Sequence, residues 1–486
     1  MKNRIDMCTI VLSVVVTAVL FSLSAATALA APLSPETSAD SAASTEAADR
    51  EDYLQQLAEV ERKYQRKPND QKLAIAYAEH LFALGEFSKS QQILRPLLAQ
   101  GQPVAKALYL SARIDYLTGN YAQAEKLYGK LAAQYPTEFR QDAELGLLYT
   151  YYQTNQCQKA QNLFKGEDGN IERPLWEMMK TFGNRKPYQI DWHGKQEAIV
   201  PFIKIEKRVL PVVSVEINGK PINCFIDTGC DSIYLDEAVA ASVGITSIAQ
   251  QEGVYAGGKT AVTSYGLANS LTMNGVTLKA IPVSFGPDDV FDSNELVLSG
   301  IIGTNVLQQF LSTIDYPGGQ LILRPRNQEG RAALIADLAP YKRVTELPFA
   351  LADTHLMISQ GSVQGKDKLN FLVDSGLDDS VAAVELPRQT MDYAGIPMPA
   401  LEYDKESVGL GLGGAVDYEG RFSVDTFRLG SLQAKNVEGI YGGFPPSLYY
   451  DDDMGFFVDG LISHQFLKDY KWTIDFDSMK MIFTQS

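Results

Sequence analysis

The chain has 486 residues, 45% of them hydrophobic and 10% aromatic, which is enough for several domains with buried cores and argues against global disorder. Its formal net charge is −16, so the basic footprint that nucleic-acid binding requires is absent. Acidity bears on solubility and says little about the fold.

Residues 1–30 read as a Sec-type signal peptide. Lys2 and Arg4 give a positive start, residues 10–23 are largely apolar, and Ala28-Leu29-Ala30 fits a small-residue cleavage site. The competing reading is an uncleaved membrane anchor. Cys8 sits at the start of the apolar run, where a lipoprotein cleavage cysteine would not be. No later segment has 18 uninterrupted apolar residues, so no membrane span is expected after cleavage. The expected location is extracytoplasmic, periplasmic or secreted. Residues 31–50 are rich in Ala, Ser, Thr and Glu, lack aromatics, and read as a flexible linker.

From 51 to 166 the apolar spacing is helical. Leu73, Ala76, Tyr77, His80, Leu81 and Leu84 share one helix face; Phe87, Ser90, Ile93, Leu94 and Leu97 share another. The pattern recurs. Gly85 and Gly119 stand 34 residues apart, and Phe87, Ser90 and Leu94 match Tyr121, Ala124 and Tyr128. A further copy, shifted by two residues, carries Asn155, Cys157, Ala160 and Phe164. A 34-residue period with a turn glycine and small residues at the helix crossing resembles the tetratricopeptide repeat. The resemblance implies paired helices with a groove for a peptide or protein partner; the alternative is a generic helical bundle.

Residues 167–196 mix Gly, Pro, Lys and Trp and read as a connector. From 197 the period changes to two. Val213, Val215 and Ile217 alternate with Ser214 and Glu216 before an Asn218-Gly219 turn. A long internal repeat then divides the β region into 197–326 and 341–486, joined by a connector at 327–340. Cys224-Phe225-Ile226 leads into Asp227-Thr228-Gly229, and Phe371-Leu372-Val373 leads into Asp374-Ser375-Gly376. Each copy continues through a Gly-Ile pair, Gly244-Ile245 or Gly395-Ile396. Each then has a glycine-rich hairpin, Ala256-Gly257-Gly258 in the first and residues 409–414 in the second. Gly300-Ile301-Ile302-Gly303 is answered by Gly460-Leu461-Ile462-Ser463. Both copies close on Phe-Leu and Thr-Ile-Asp, ending at Asp315 and Asp475.

This order of landmarks resembles the aspartic proteases, in the retropepsin-like form, over roughly 197–486. The implied fold is an all-β bilobal protease with two lobes in one chain, following an all-α helical repeat. The implied catalytic pair is Asp227 and Asp374, sharing a proton: the ionised carboxylate acts as base on water and the protonated one donates to the peptide carbonyl. Thr228 and Ser375 match the hydroxyls that lock the two lobes together, and Gly229 and Gly376 allow the tight turns. Tyr255, Gly257, Gly258, Gly411, Gly413 and Gly414 are candidates for flaps closing on an extended peptide. Cys230 and Leu377 stand where pepsin-like enzymes often carry a hydroxyl, so a dyad less acidic than pepsin's is expected. Ser463 departs from the glycine that the pattern calls for. Asp231 and Asp378 are expected to serve local structure or salt links, and Asp315 and Asp475 to serve turns. Asp451, Asp452 and Asp453 read as a solvated loop.

No histidine, cysteine or glutamate cluster has metal spacing, and His80, His193, His355 and His464 are scattered, so no metal or cofactor is expected. Cys157, Cys224 and Cys230 are expected as free buried thiols, with a Cys224–Cys230 bridge left open. The function expected is aspartic endopeptidase; the alternative is a non-catalytic peptide-binding or scaffold protein that keeps the fold.

Overall fold

The computed structural model describes residues 14–15, 50–164, 173–204, 210–287, 298–379, 381–403, 410–411, 414–450 and 454–485. The leader and linker lie outside these, apart from Val14–Val15 and Arg50. A helical region comes first and a large β-rich region with several sheets follows. Among the described residues no helix is long and apolar enough to cross a membrane.

The helical region contains α1 (Arg50–Arg66), α2 (Gln71–Ala83), α3 (Phe87–Leu98), α4 (Ala105–Leu117), α5 (Tyr121–Gln134), α6 (Arg140–Gln153) and α7 (Cys157–Ala160). Asp70 caps α2 by accepting from the amides of Lys72 and Leu73 at 3.0 and 3.2 Å. The turn glycines then end helices in the left-handed region. Gly85 (φ +74°) and Gly119 (φ +78°) follow α2 and α4, and the next amide reaches back to Leu81 O or Asp115 O. Asn155 (φ 55°) does the same after α6, with Gln156 N bonded to Tyr151 O at 2.8 Å. Asparagine tolerates this conformation better than most side chains, which explains how the third copy manages without glycine.

Helix α8 (Arg173–Phe182) lies in the segment expected as a connector. Its Leu175, Met178, Met179 and Phe182 recur at helical spacing and are buried with Leu148 and Tyr152. The strand Gln189–Asp191 in the same segment pairs with Val276–Gly286. The second expected connector also has structure, a helix Gln328–Leu338 capped by the Asn327 side chain.

Two eight-stranded sheets repeat one set of pairings. In the first, Lys220–Ile226 lies between antiparallel Val212–Ile217 and parallel Gly300–Ile302. In the second, Lys366–Val373 lies between antiparallel Leu356–Val363 and parallel Gly460–Ile462. The apolar runs that precede each aspartate are therefore central strands, buried on both sides, as their near-continuous hydrophobicity dictates. A six-stranded sheet joins the halves. Leu311–Asp315 pairs with Lys471–Asp475, and Thr313 and Thr473 meet hydroxyl to hydroxyl at 2.7 Å.

The helices do not stand apart from the sheets. Arg50 grips Asp459 with Nη1 at 2.8 Å to both carboxylate oxygens, and both side chains are buried. Phe457 N donates to Ala83 O at 2.9 Å, Gln153 Nε2 to Thr354 O at 2.7 Å, and Tyr116 Oη to Asp353 O. Phe82, Phe87 and Phe456 pack edge to face. The face made by α2, α4 and α6 is thus packed against the second sheet and its loops.

Candidate active site

Each aspartate sits at the end of a buried central strand, where the chain turns sharply. Asp227 N is held by Ile302 O at 3.0 Å and Asp374 N by Ile462 O at 2.9 Å. The two turns interlock. Thr228 Oγ1 donates to Val373 O at 2.7 Å and accepts from Ser375 N at 3.0 Å. Ser375 Oγ donates to Ile226 O at 2.9 Å and accepts from Thr228 N at 3.1 Å. A hydroxyl can donate and accept at once, so threonine and serine can each make both bonds where an alkyl group could make neither. Four such buried bonds, each contributing about 0.5–1.5 kcal/mol, fix one turn against the other.

Glycine follows for a steric reason. A Cβ on Gly229 would stand 2.7 Å from Asp374 Oδ2, and one on Gly376 would strike the Asp227 carboxyl group. Each carboxyl therefore lies over the opposite glycine. Asp227, Asp374, Thr228, Gly229, Ser375 and Gly376 are brought together in one buried centre.

Asp227 Oδ1 accepts from Gly229 N at 2.7 Å; Asp374 Oδ1 accepts from Gly376 N at 2.8 Å and Leu377 N at 3.1 Å. Oδ2 of each meets no donor among the described residues. Ionised carboxylates only accept, so a single proton held between the two carboxyls would supply the missing donor. Burial, then the charge of Asp374, hold Asp227 well above the ordinary carboxylate range. Burial raises Asp374 only to about 6, because Asp227 and the amides of Gly376 and Leu377 stabilise its anion. Burial raises both carboxyls, so the pair holds one proton between them and titrates as a unit.

The flap candidates separate. Gly257 (φ +64°) and Gly258 (φ +74°) form the turn of a hairpin between Ala249–Val254 and Thr260–Met273. Gly257 N donates to Gly443 O at 2.6 Å, and Lys259 Nζ meets Asp417 at 2.5 Å. This hairpin therefore touches the second half of the β region. Leu410–Gly411 pairs with Gly414–Ala415 in the other hairpin. Gly413 and residues 451–453 lie outside the described residues. Tyr255 is fully buried among Phe225, Tyr234 and Ile301, with its hydroxyl 2.5 Å from Thr263 Oγ1, so its ring fills the base of the hairpin.

Two histidines that look scattered in sequence lie at the centre. His464 Nδ1 is 2.8 Å from Leu377 O, and its Nε2 is 3.7 Å from Asp378 Oδ1. His355 is buried beside the Gly229 backbone. The position after Ser463 is the signal that would have found His464, since Thr304, after Gly303, bonds Thr228 O at 2.8 Å. Ser463 fits its place. Its Oγ bonds Ala382 O at 2.5 Å and accepts from Gln465 N at 3.1 Å. Asp231 accepts from Ser232 Oγ at 3.0 Å, while Asp315 and Asp475 accept turn amides from Gly318 and from Asp477 and Ser478. Cys157, Cys224 and Cys230 are free and buried.

Residues 213–306 match the family profile of aspartyl proteases, which spans Asp227, the first hairpin and Gly303. That match supports protease function at the level of the family. No curated protein matches the chain. Similar solved structures include conglutin gamma from lupine seeds (8% identity, 60% of this chain and 95% of that one, TM-score 0.35). Basic 7S globulin from soybean is similar at 9% identity, with the same coverage and a TM-score of 0.34. A retropepsin-like aspartic protease from Rickettsia conorii is similar at 18% identity over 28% of this chain and 91% of that one, TM-score 0.19.

Proposed function

We propose that the protein is an exported aspartic endopeptidase, built as two lobes in one chain behind a tetratricopeptide-like helical array. The observation that carries this reading is the reciprocal clasp of Thr228 and Ser375, which sets two buried carboxyls face to face, both raised by burial. In the proposed mechanism Asp374, ionised, takes a proton from a water between the carboxyls. Asp227, protonated, donates to the carbonyl oxygen of the peptide bond under attack. As the C–N bond breaks, Asp374 passes its proton to the leaving nitrogen and a hydroxyl of the tetrahedral intermediate returns one to Asp227, without a covalent intermediate. The glycine hairpins close on an extended peptide that pairs with the cleft by backbone hydrogen bonds. Val14–Val15 pairs antiparallel with Leu377–Asp378, next to the Asp374 turn, which is the geometry such a peptide would take.

The test is cleavage of a peptide library by the purified protein, with Asp227→Asn as control. Turnover that disappears in the variant is expected. A protein that binds peptides but never cuts them would be the non-catalytic scaffold instead.

A further inference from the structure

The second half of the β region carries one residue that the first does not. Asn218-Gly219 and Gln364-Gly365 are matching hairpin turns, with φ of +50° and +80° in the first and +50° and +78° in the second. Asp227 follows Gly219 by 8 residues, whereas Asp374 follows Gly365 by 9. Both strands must deliver their aspartates to the same clasp, so the extra residue has to be absorbed on the way. Lys220–Ile226 pairs with Val212–Ile217 without a shift. Lys366–Val373 pairs with Leu356–Val363 across a shift: Gly361 faces Leu369 and Ser362 faces Asp367, which leaves Lys368 as a bulge. Lys368 takes the left-handed region (φ +62°), which a residue with a Cβ seldom keeps unless its surroundings hold it there.

The helical region supplies the hold. Arg50 of α1 donates from Nη2 to Lys368 O at 2.5 Å, while its Nη1 grips Asp459. Glu86, just before α3, meets the Lys368 ammonium at 2.6 Å. Asp459 passes the grip on: its Oδ2 accepts from Asn370 N, and its own amide donates to Asn370 O, both at 2.7 Å. Gly85 lies so near the Asn370 side chain that a Cβ there would stand 2.3 Å from Oδ1. Asn370 is on the strand that ends at Asp374. Asp459 directly precedes the parallel strand Gly460–Ile462, whose last carbonyl holds Asp374 N at 2.9 Å. Both strands that place Asp374 are thus gripped at their far ends by Arg50, directly or through Asp459.

We propose that Arg50 and Glu86 are positioning residues: the helical region clamps the bulge at Lys368 and so fixes where Asp374 stands against Asp227. The consequence for turnover rests on the peptidase reading above. The clamp needs a forked, planar cation at position 50, because one group must bond the Asp459 carboxylate and the Lys368 carbonyl together. A lysine there keeps the charge and loses the fork.

The experiment measures kcat and KM on one cleaved peptide for the full chain and for Arg50→Lys, Glu86→Gln and Ser90→Ala, each at a temperature where it is fully folded. Ser90→Ala is the control, since it removes a bond within the helical region alone, from Ser90 Oγ to Ala78 O at 2.7 Å. Arg50→Lys should lower kcat by about tenfold or more with KM within about twofold of the wild type, Glu86→Gln should lower kcat by about twofold or more, and Ser90→Ala should change neither. Unchanged kcat in Arg50→Lys, or an equal loss in Ser90→Ala, overturns the clamp. Where Arg50→Lys fails to fold, unchanged kcat in Glu86→Gln overturns it. Amide hydrogen exchange at Phe371, Leu372 and Val373 supplies a readout that needs no turnover; it should quicken in Arg50→Lys and Glu86→Gln and not in Ser90→Ala. A wild type that never cleaves overturns the peptidase reading, and exchange unaltered by either clamp variant overturns the clamp.

Discussion

The two aspartate turns repeat one arrangement, and their small differences are the informative part. Both end a central strand, both clasp the other's backbone through a hydroxyl, and both place a glycine under the opposing carboxyl. Yet Asp374 collects the amides of Gly376 and Leu377, and its loop is braced by His464. Asp227 accepts from the Gly229 amide, the Cys230 backbone also stabilises its anion, and its loop is braced by Thr304. A duplicated scaffold thus offers the two carboxyls matched backbone donors, and the turns differ in the side chains that brace them. The two members of such a pair titrate as a unit, so the difference shows in the pair's behaviour.

Breaking either carboxyl has the largest expected effect. Asp227→Asn and Asp374→Asn should each lower peptide turnover by about 10²–10⁴-fold or more, measured as kcat/KM on one library hit. Unequal chemistry, not unequal importance, is what separates them.

Next comes the tie between helices and sheets. Arg50→Ala leaves Asp459 buried without its cation and should cost about 3–5 kcal/mol of stability in denaturant unfolding. Breaking an exposed pair such as Lys63 with Glu59 should cost far less on the same scale. Equal losses would mean that the helices are only loosely attached.

Much of this was legible in the sequence, and the reasons are physical. A central strand must be apolar almost throughout, and a turn that faces its own copy needs Asp, a hydroxyl and Gly in that order. Cys224-Phe225-Ile226-Asp227 and Phe371-Leu372-Val373-Asp374 therefore stand out. The turn residues Gly85, Gly119 and Asn155 were equally visible, because left-handed backbone restricts the choice of side chain. What escaped were contacts between residues far apart in the chain. Nothing around His355 marks it as a neighbour of Gly229, and Phe456 and Phe457 look like ordinary core residues until α2 is packed on them. Helix α8 escaped for another reason: Pro174, Lys180 and the glycines nearby mask a spacing of Leu175, Met178, Met179 and Phe182 that was there to be read.

A finer comparison lies at Gly303 and Ser463. A Cβ at 303 would collide with Ser232 O and stand 2.6 Å from Cys230 O, so Gly303→Ser should cost about 1–3 kcal/mol in unfolding free energy. Ser463→Gly loses the bonds to Ala382 O and from Gln465 N and should cost about 0.5–1.5 kcal/mol. The reverse order of losses would show that the second turn is built on the first one's terms.

The central claim is that the two carboxyls share one proton and use it to hydrolyse peptides. Its most direct test is kcat/KM against pH for a cleaved peptide. Activity needs one carboxyl ionised and the other protonated, and burial raises both, so the rate should rise with pH only above the ordinary carboxylate range and fall at higher pH, where the shared proton leaves. A maximum in the strongly acidic range, or cleavage that persists in Asp227→Asn, would contradict it.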